Sequence, residues 1–197
     1  MRSMLRLRSF FGRGIIRLNK HAVHQQRFTS DTSNTKQLRH KPALPLRQPR
    51  EIIVACPAMK SNVNVSMLAR AAGCFGVRQM IMCGNSRLRA EIARESASLL
   101  QLHIHRTLPP VLQRLRSEGY KIIGLEQTTT SSSIYSFTFP YKSVLVVGHE
   151  ARGLDEDVLR ECDHCIEIPV YGMPHSHNAA VAGAVALYEY CRQFPEG

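Results

Sequence analysis

From residue 51 onward, short apolar runs alternate with stretches whose apolar residues recur at the helical period. The runs at 52–56, 79–83, 103–106, 121–126, 143–147 and 164–168 have strand length. Between them the spacing predicts helices over 63–75, 91–100, 111–118, 155–160 and 178–193. Such alternation predicts an α/β domain on a mostly parallel sheet with helices on both faces. The run SVLVV at 143–147 is apolar at successive positions after Ser143, as in a strand covered on both sides. Ligands of these sheets bind at the carboxyl ends of strands, so the loops that leave strands are where chemistry is expected.

Residues 1–50 follow another pattern. On a helix, Met4, Leu7, Phe11, Ile15 and Leu18 share one side, and Arg2, Arg6, Arg13, Arg17 and Lys20 gather opposite. No acid precedes Asp31, and Thr29, Ser30, Thr32, Ser33 and Thr35 follow the helix. This is the composition of a mitochondrial transit peptide, expected over residues 1–30. A basic arm touching RNA or an anionic surface is the plainer alternative. The first reading sends the chain to the mitochondrial matrix, and the second leaves it cytoplasmic or nuclear. Arginines among the apolar positions exclude a secretory signal. Pro42, Pro45 and Pro49 interrupt regular structure, so residues 31–50 are expected as a linker and 51–197 as the folded domain.

Charge sharpens this division. The chain holds 26 Lys and Arg against 15 Asp and Glu, a formal net charge of +11. All of the excess lies in residues 1–50, because basic and acidic groups balance over 51–197. A uniformly basic domain is excluded. Residues 70–121 nevertheless carry nine basic and three acidic groups, and 122–197 carry four and ten. A polyanionic partner would therefore meet the first half. No apolar run approaches the ~18 residues of a membrane span, so no membrane insertion is expected.

The six cysteines are scattered through apolar stretches and do not form a disulfide framework. Cys162-x-x-Cys165 nominates two of the four ligands of a closed zinc site, and His175-x-His177 adds no better pair. No metal is expected.

Three loops stand out. In KSNVNVSMLARAAGCFGV (60–77), Asn62 or Asn64 can cap a helix that carries Arg70. Arg70 reads either as a solvated, ion-paired helix residue or as a functional cation. VGHEARGL (147–154) follows the all-apolar strand and brackets Glu150 and Arg152 between Gly148 and Gly153. It reads as a close backbone approach to a ligand or as a tight turn with a surface ion pair. Asp155 is expected to cap the next helix. IPVYGMPHSHN (168–178) leads into a helix built from Ala179, Ala180, Ala182, Gly183, Ala184 and Ala186. Ser176 and Asn178 suit its N-cap, and the small side chains predict close packing against a neighbouring segment or a second subunit. G-x-G-x-x-G and Walker A patterns are absent, so the chain lacks the common nucleotide-binding fingerprints, which argues against a nucleotide-binding oxidoreductase.

In this order and spacing, the three loops resemble the signature motifs of the SpoU/TrmH branch of the SPOUT methyltransferases across residues 51–197. EGYKIIGLEQT (118–128) and ALYEYCRQ (186–193) are similar to the catalytic domain of the TAR-RNA-binding-protein type of tRNA guanosine-2′-O-methyltransferases. The resemblance implies a C-terminal trefoil knot, a homodimer, and S-adenosylmethionine as methyl donor to a ribose 2′-hydroxyl in tRNA or rRNA. It implies catalytic roles for Asn64, Arg70, Glu150, Ser176 and Asn178. It also implies cofactor contacts at Gly148, Ile168 and His177, largely through the backbone, and in family members the arginine often comes from the partner subunit. Three residues depart from the motifs: Ser66 stands for Gly, His149 for Asn and His177 for Leu. These departures define the alternative, a non-catalytic RNA-binding or ribosome-assembly factor of the same fold.

Overall fold

The computed structural model describes residues 36–38 and 41–197. The expected transit peptide lies outside the described residues. The chain divides into two units, 1–42 and 43–197, and the second holds every element described below.

In that unit a seven-stranded sheet forms from β1 (Ile52–Cys56), β2 (Gln79–Cys83), β3 (Gln101–His105), β4 (Lys121–Leu125), β5 (Ser132–Ser133), β6 (Ser143–Val147) and β7 (His164–Glu167). The strand order is β3-β2-β1-β6-β4-β7-β5, and every pairing is parallel. The helices are α1 (Asn62–Cys74), α2 (Ala90–Ala93), α3 (Ser96–Leu99), α4 (Pro109–Ser117), α5 (Glu156–Leu159) and α6 (Ala179–Gln193).

Side chains alternate across each strand, so the sheet feeds two cores. Val54, Met80, Leu145 and Val147 pack with Leu68 of α1 and Leu187 of α6. Ile53, Ile81, Val144 and Val146 pack with Leu112 of α4 and Val158 of α5. This explains why β1 and β6 are apolar without a polar face. The small residues of α6 serve close packing, since a Cβ on Gly183 would stand 2.5 Å from Leu68 Cδ1 and 3.2 Å from Val147 Cγ2.

Several expectations are corrected. Residues 43–50 belong to the compact unit and not to a linker. The Arg50 guanidinium is buried and donates to the carbonyls of Phe194 and Pro195, and Arg47 N–H donates to Glu196 O at 2.8 Å. The helix expected over 91–100 is two single turns, α2 and α3, separated at Arg94, which adopts φ 51°. Ser96 is buried against Gly73 of α1, and seating it there breaks the helical path. Ser61, not Asn62 or Asn64, caps α1, accepting from Asn64 N–H at 3.3 Å. Asp155 occupies the N-cap of α5 without a capping hydrogen bond, its carboxylate lying 3.6 Å from Arg152 Nε. β3 begins at Gln101, in register with Gln79, and not at 103. The Ser/Thr-rich loop after β4 contributes β5, which pairs with β7.

Candidate active site

The loops leaving β4, β6 and β7 enclose a cleft of about 320 Å³ at the carboxyl edge of the sheet. Leu125, Val147, Ile168 and Ala182 supply its apolar wall, and Glu126 and Glu167 bring carboxylates to it. Backbone approaches most closely at Gly148, where a Cβ would stand 2.8 Å from the Gly153 carbonyl carbon. His149 and Gly153 exchange both backbone hydrogen bonds, at 2.8 and 2.9 Å, and close the loop into a hairpin. Gly153 has φ +68°, and a Cβ on it would collide with the Glu126 carboxylate. Glu126 Oε2 in turn accepts from Leu154 N–H at 3.0 Å, tying this hairpin to the end of β4. The cleft thus offers exposed backbone, an apolar wall and acidic groups. That donor set fits an adenosine-bearing cation such as S-adenosylmethionine.

Glu150 points out of the hairpin toward the first motif. Its Oε1 accepts from Ser61 N–H (2.9 Å) and Asn64 Nδ2 (3.0 Å), and its Oε2 accepts from Lys60 N–H (3.0 Å). Burial pushes the Glu150 carboxyl up, but hydrogen bonds from its own backbone, Asn64, Lys60 and Ser61 outweigh burial and hold it below the ordinary carboxylate value. The group is a carboxylate at neutral pH with its oxygens already engaged. Asn64 passes the connection on, because Asn178 Nδ2 donates to Asn64 Oδ1 at 3.1 Å. Asn178 also caps α6, its Oδ1 accepting from Ala180 N–H (3.0 Å) and Val181 N–H (3.3 Å).

His149 takes over a task that an asparagine performs in a tight turn. Its Nδ1 accepts from Ala151 N–H at 3.0 Å, the hydrogen bond of an Asx-turn. That bond assigns the neutral proton to Nε2, which lies 3.8 Å from Glu150 Oε2. Ser66 is equally well used. The buried hydroxyl donates to Asn62 O at 2.6 Å and accepts from Arg89 N–H at 2.8 Å.

Of the residues singled out in the sequence, Gly148, Glu150, Ile168, Ser176 and His177 line the cleft. Asn64 and Asn178 join it through Glu150. Arg70 does not. It is exposed on α1 and lines a separate hollow of about 510 Å³ between α1 and α6, with Met67, Val181, Val185 and Tyr188. The sequence reading passed over Glu126, whose place directly after an apolar strand is the signal that finds it. It also passed over the backbone donors of Lys60 and Ser61, which leave no trace in side-chain identity.

Cys162 and Cys165 both face Gly124, and burial pushes the Cys162 thiol up to about 12. Among the described residues no group of three or more His, Cys, Asp or Glu is placed to hold a metal. No helix among them is long and apolar enough to cross a membrane.

Residues 51–188 match the model of the SpoU rRNA Methylase family. The chain is 32% identical over 148 residues to the tRNA (guanosine(18)-2′-O)-methyltransferase TARBP1 of Mus musculus, covering 72% of this chain and 9% of that protein. It is 30% identical over 150 residues to the tRNA (guanosine(18)-2′-O)-methyltransferase of Escherichia coli K12, covering 75% and 65%. The chain therefore spans less than two thirds of either relative. The Aquifex aeolicus TrmH/SpoU tRNA modifying enzyme shares its fold with a TM-score of 0.72 at 24% identity, over 77% of this chain and 79% of that one. The trefoil knot expected for the C-terminal segment is a feature of that fold. With the cleft, the three joined loops and the matched residues in agreement, the chain belongs to the SpoU rRNA methylase family.

Proposed function

We propose that this protein is an S-adenosylmethionine-dependent ribose 2′-O-methyltransferase of RNA, acting as a homodimer in the mitochondrial matrix. The observation that carries the reaction is the continuous link Asn178–Asn64–Glu150, which joins the three motif loops at the mouth of the cleft. The names of the relatives make tRNA the first substrate to test. His149 and Ser66 both form complete hydrogen bonds in their places, which favours a working site over a non-catalytic homologue.

S-adenosylmethionine, when bound, supplies an electrophilic methyl group. The chain's own residues do the rest. Gly148 and Ile168 would hold the donor through backbone, Glu126 and Glu167 would supply negative charge beside it, and Ser176 and His177 complete the lining of the cleft. Glu150 is an organiser. Its carboxylate is spent on the N–H groups of Lys60 and Ser61 and on Asn64, and so fixes the entry to α1. A guanidinium stays protonated in proteins. Arg70 therefore acts as a fixed cation that stabilises the developing ribose oxyanion and not as the base, and the hydroxyl proton leaves to water or to a group of the partner subunit.

That role needs a second subunit. Val63, Met67, Val181, Val185 and Tyr188 are exposed, and the hollow between α1 and α6 places Arg70 among the last four of them. The face begins at the site itself, since α1 starts beside Glu150 and α6 at Asn178. A dimer through this face would bury the apolar patch and set the partner's Arg70 near the cleft. The matrix assignment is supported by the basic amphipathic pattern of residues 1–30.

The test is incubation of the full chain with radiolabelled S-adenosylmethionine and an unmodified tRNA transcript, followed by nuclease mapping of the label. Incorporation at a ribose 2′-oxygen supports the reading. Absence of both donor binding by calorimetry and label incorporation, with a dimer present by sedimentation, would sink it. Localisation is read separately by fusing residues 1–50 to a fluorescent reporter.

A further inference from the structure

The carboxyl edge of the sheet changes sign along its length. On the side of β6, β4 and β7, the strand ends and the loops they enter hold Glu126, Glu150, Asp155 and Glu167 against the single cation Arg152, which lies 3.6 Å from Asp155. On the side of β1, β2 and β3, residues 57–61, 84–89 and 106–108 hold Lys60, Arg87, Arg89 and Arg106 and no acid. All four of these cations are exposed. Among the described residues Lys60, Arg87 and Arg106 form no ion pair, and Arg89 pairs with the exposed Glu91 at 2.8 Å.

Hydrogen bonds join these basic loops to each other and to the site. Gly84 N–H donates to His105 O at 2.9 Å, which sets the loop after β2 beside the end of β3. Asn62 Oδ1 accepts from Arg87 N–H at 3.0 Å, and Ser66 Oγ accepts from Arg89 N–H at 2.8 Å. Both acceptors belong to α1, whose entry is held by Glu150. Ser86 is buried and donates to Cys83 O at 3.0 Å. The segment carrying Arg87 and Arg89 is therefore braced at both ends, and its brace runs back to the carboxylate of the second motif. Ser66 matters here because a glycine at this position has no hydroxyl to offer.

We infer that the loops leaving β1, β2 and β3 form a strip that receives the phosphate backbone of the RNA flanking the target nucleotide. Arg87, Arg89 and Arg106 are the contacting cations, and Asn62 and Ser66 are positioning residues. The inference rests on the methyltransferase reading and names the surface by which that site holds its substrate. The chemistry is matched on both sides. A cationic donor belongs beside the acidic loops, and a polyanion belongs beside the basic ones. Guanidinium groups suit phosphate because their forked donors match two of its oxygens. Bracing the backbone lowers the ordering cost of the contact.

The experiment measures the affinity of the full chain for an unmodified tRNA transcript over a series of salt concentrations. The R87Q/R106Q variant is expected to bind on the order of tenfold more weakly at moderate salt. The slope of log K against log salt should shrink by about 1.5 to 2, the share of two phosphate contacts. R160Q removes one exposed charge at the C-cap of α5 on the acidic side and is expected to leave both quantities unchanged. S-adenosylmethionine affinity, read by calorimetry, should be the same in all three proteins. S66A should weaken RNA binding in the wild-type background and add little in R87Q/R89Q, because it acts through those arginines. A wild-type chain that binds both donor and transcript, with R87Q/R106Q matching it in affinity and slope, overturns the strip and leaves the methyltransferase reading standing. A loss of slope in R160Q about half that in R87Q/R106Q overturns it as well, since net charge would then be the cause. A wild-type chain that binds neither donor nor transcript removes the reading on which the strip rests.

Discussion

Asn178 and Asn64 join through their side-chain amides, Asn178 Nδ2 donating to Asn64 Oδ1 at 3.1 Å. One amide thereby does two jobs, because Asn178 Oδ1 also accepts from the first free N–H groups of α6. Asn64 is similarly divided, donating to Glu150 Oε1 at 3.0 Å while it accepts from Asn178. The third motif is thus fixed to the second through a residue of the first.

Substitutions at Asn178 separate the cap from the tether. Ser retains a capping oxygen but does not reach Asn64, whereas Ala loses both. Asn178→Ala should cost about 1–2 kcal/mol of stability and Asn178→Ser a few tenths to about 1, as read from thermal or denaturant unfolding. Both should slow single-turnover methyl transfer to a similar degree, on the order of tenfold or more, because both release the motif loops from one another. A Ser variant with wild-type turnover would show that only the cap matters.

Glu150 predicts an acid dependence of stability. Its carboxyl is held below the ordinary value of 4.5 in the folded chain by the hydrogen bonds that outweigh its burial. A group lowered in this way contributes stability that is fully present above the unfolded value and lost as pH falls through the folded one. Glu150→Gln removes the contribution and turns an amide N–H toward donors. The variant should melt below wild type at neutral pH, and the gap should narrow as pH falls from the ordinary carboxylate value of 4.5 through the lower folded one. A gap that stays constant with pH would mean that the carboxylate charge is not what holds Lys60, Ser61 and Asn64.

His149 tests whether the second-motif hairpin needs an imidazole or only an acceptor at that atom. Asparagine places Oδ1 near the position of Nδ1, so His149→Asn should preserve the bond from Ala151 N–H and leave S-adenosylmethionine affinity within about twofold of wild type. His149→Ala leaves Ala151 N–H without this partner and loosens the hairpin beside Gly148. Its affinity should fall several-fold, about 1 kcal/mol, by calorimetry. Equal affinities in Ala and wild type would show that the backbone pair between His149 and Gly153 suffices.

What the sequence reveals follows burial. β1, β2 and β6 coincide with their apolar runs because each lies between two helical layers and carries no competing polar signal. The cleft residues are legible for the same reason, as loops that must leave those strands on the ligand-binding edge. Where a neighbouring element decides, local pattern fails. The apolar spacing of 91–100 fits one helix, but Ser96 seated against Gly73 divides it. β5 is a pair of serines whose strand character comes entirely from β7. The separation of Arg70 from the cleft is equally invisible along the chain. Asn64 and Arg70 share α1, yet one helix presents Asn64 to Glu150 and Arg70 to the hollow against α6.

That separation leads to the sharpest test of the proposed assembly. If Arg70 serves the partner's cleft, Arg70→Ala and Asn178→Ala damage opposite sides of the same composite site. Each homodimer should transfer methyl groups poorly, and each must first be shown folded by thermal unfolding and dimeric by sedimentation. In a heterodimer formed by mixing, the Arg70→Ala subunit keeps an intact cleft and receives an intact arginine from its partner. The other site carries both lesions. Random exchange yields half heterodimers with one working site each, so activity should return to about a quarter of wild type. If Arg70 served its own cleft, every site in the mixture would carry a lesion and activity would stay at the level of the parents. Val185→Glu, which puts a charge into the apolar face beside Tyr188, should yield monomers and abolish this rescue when present in both subunits. Its cleft is untouched, so its affinity for S-adenosylmethionine reports whether the donor site also needs the partner.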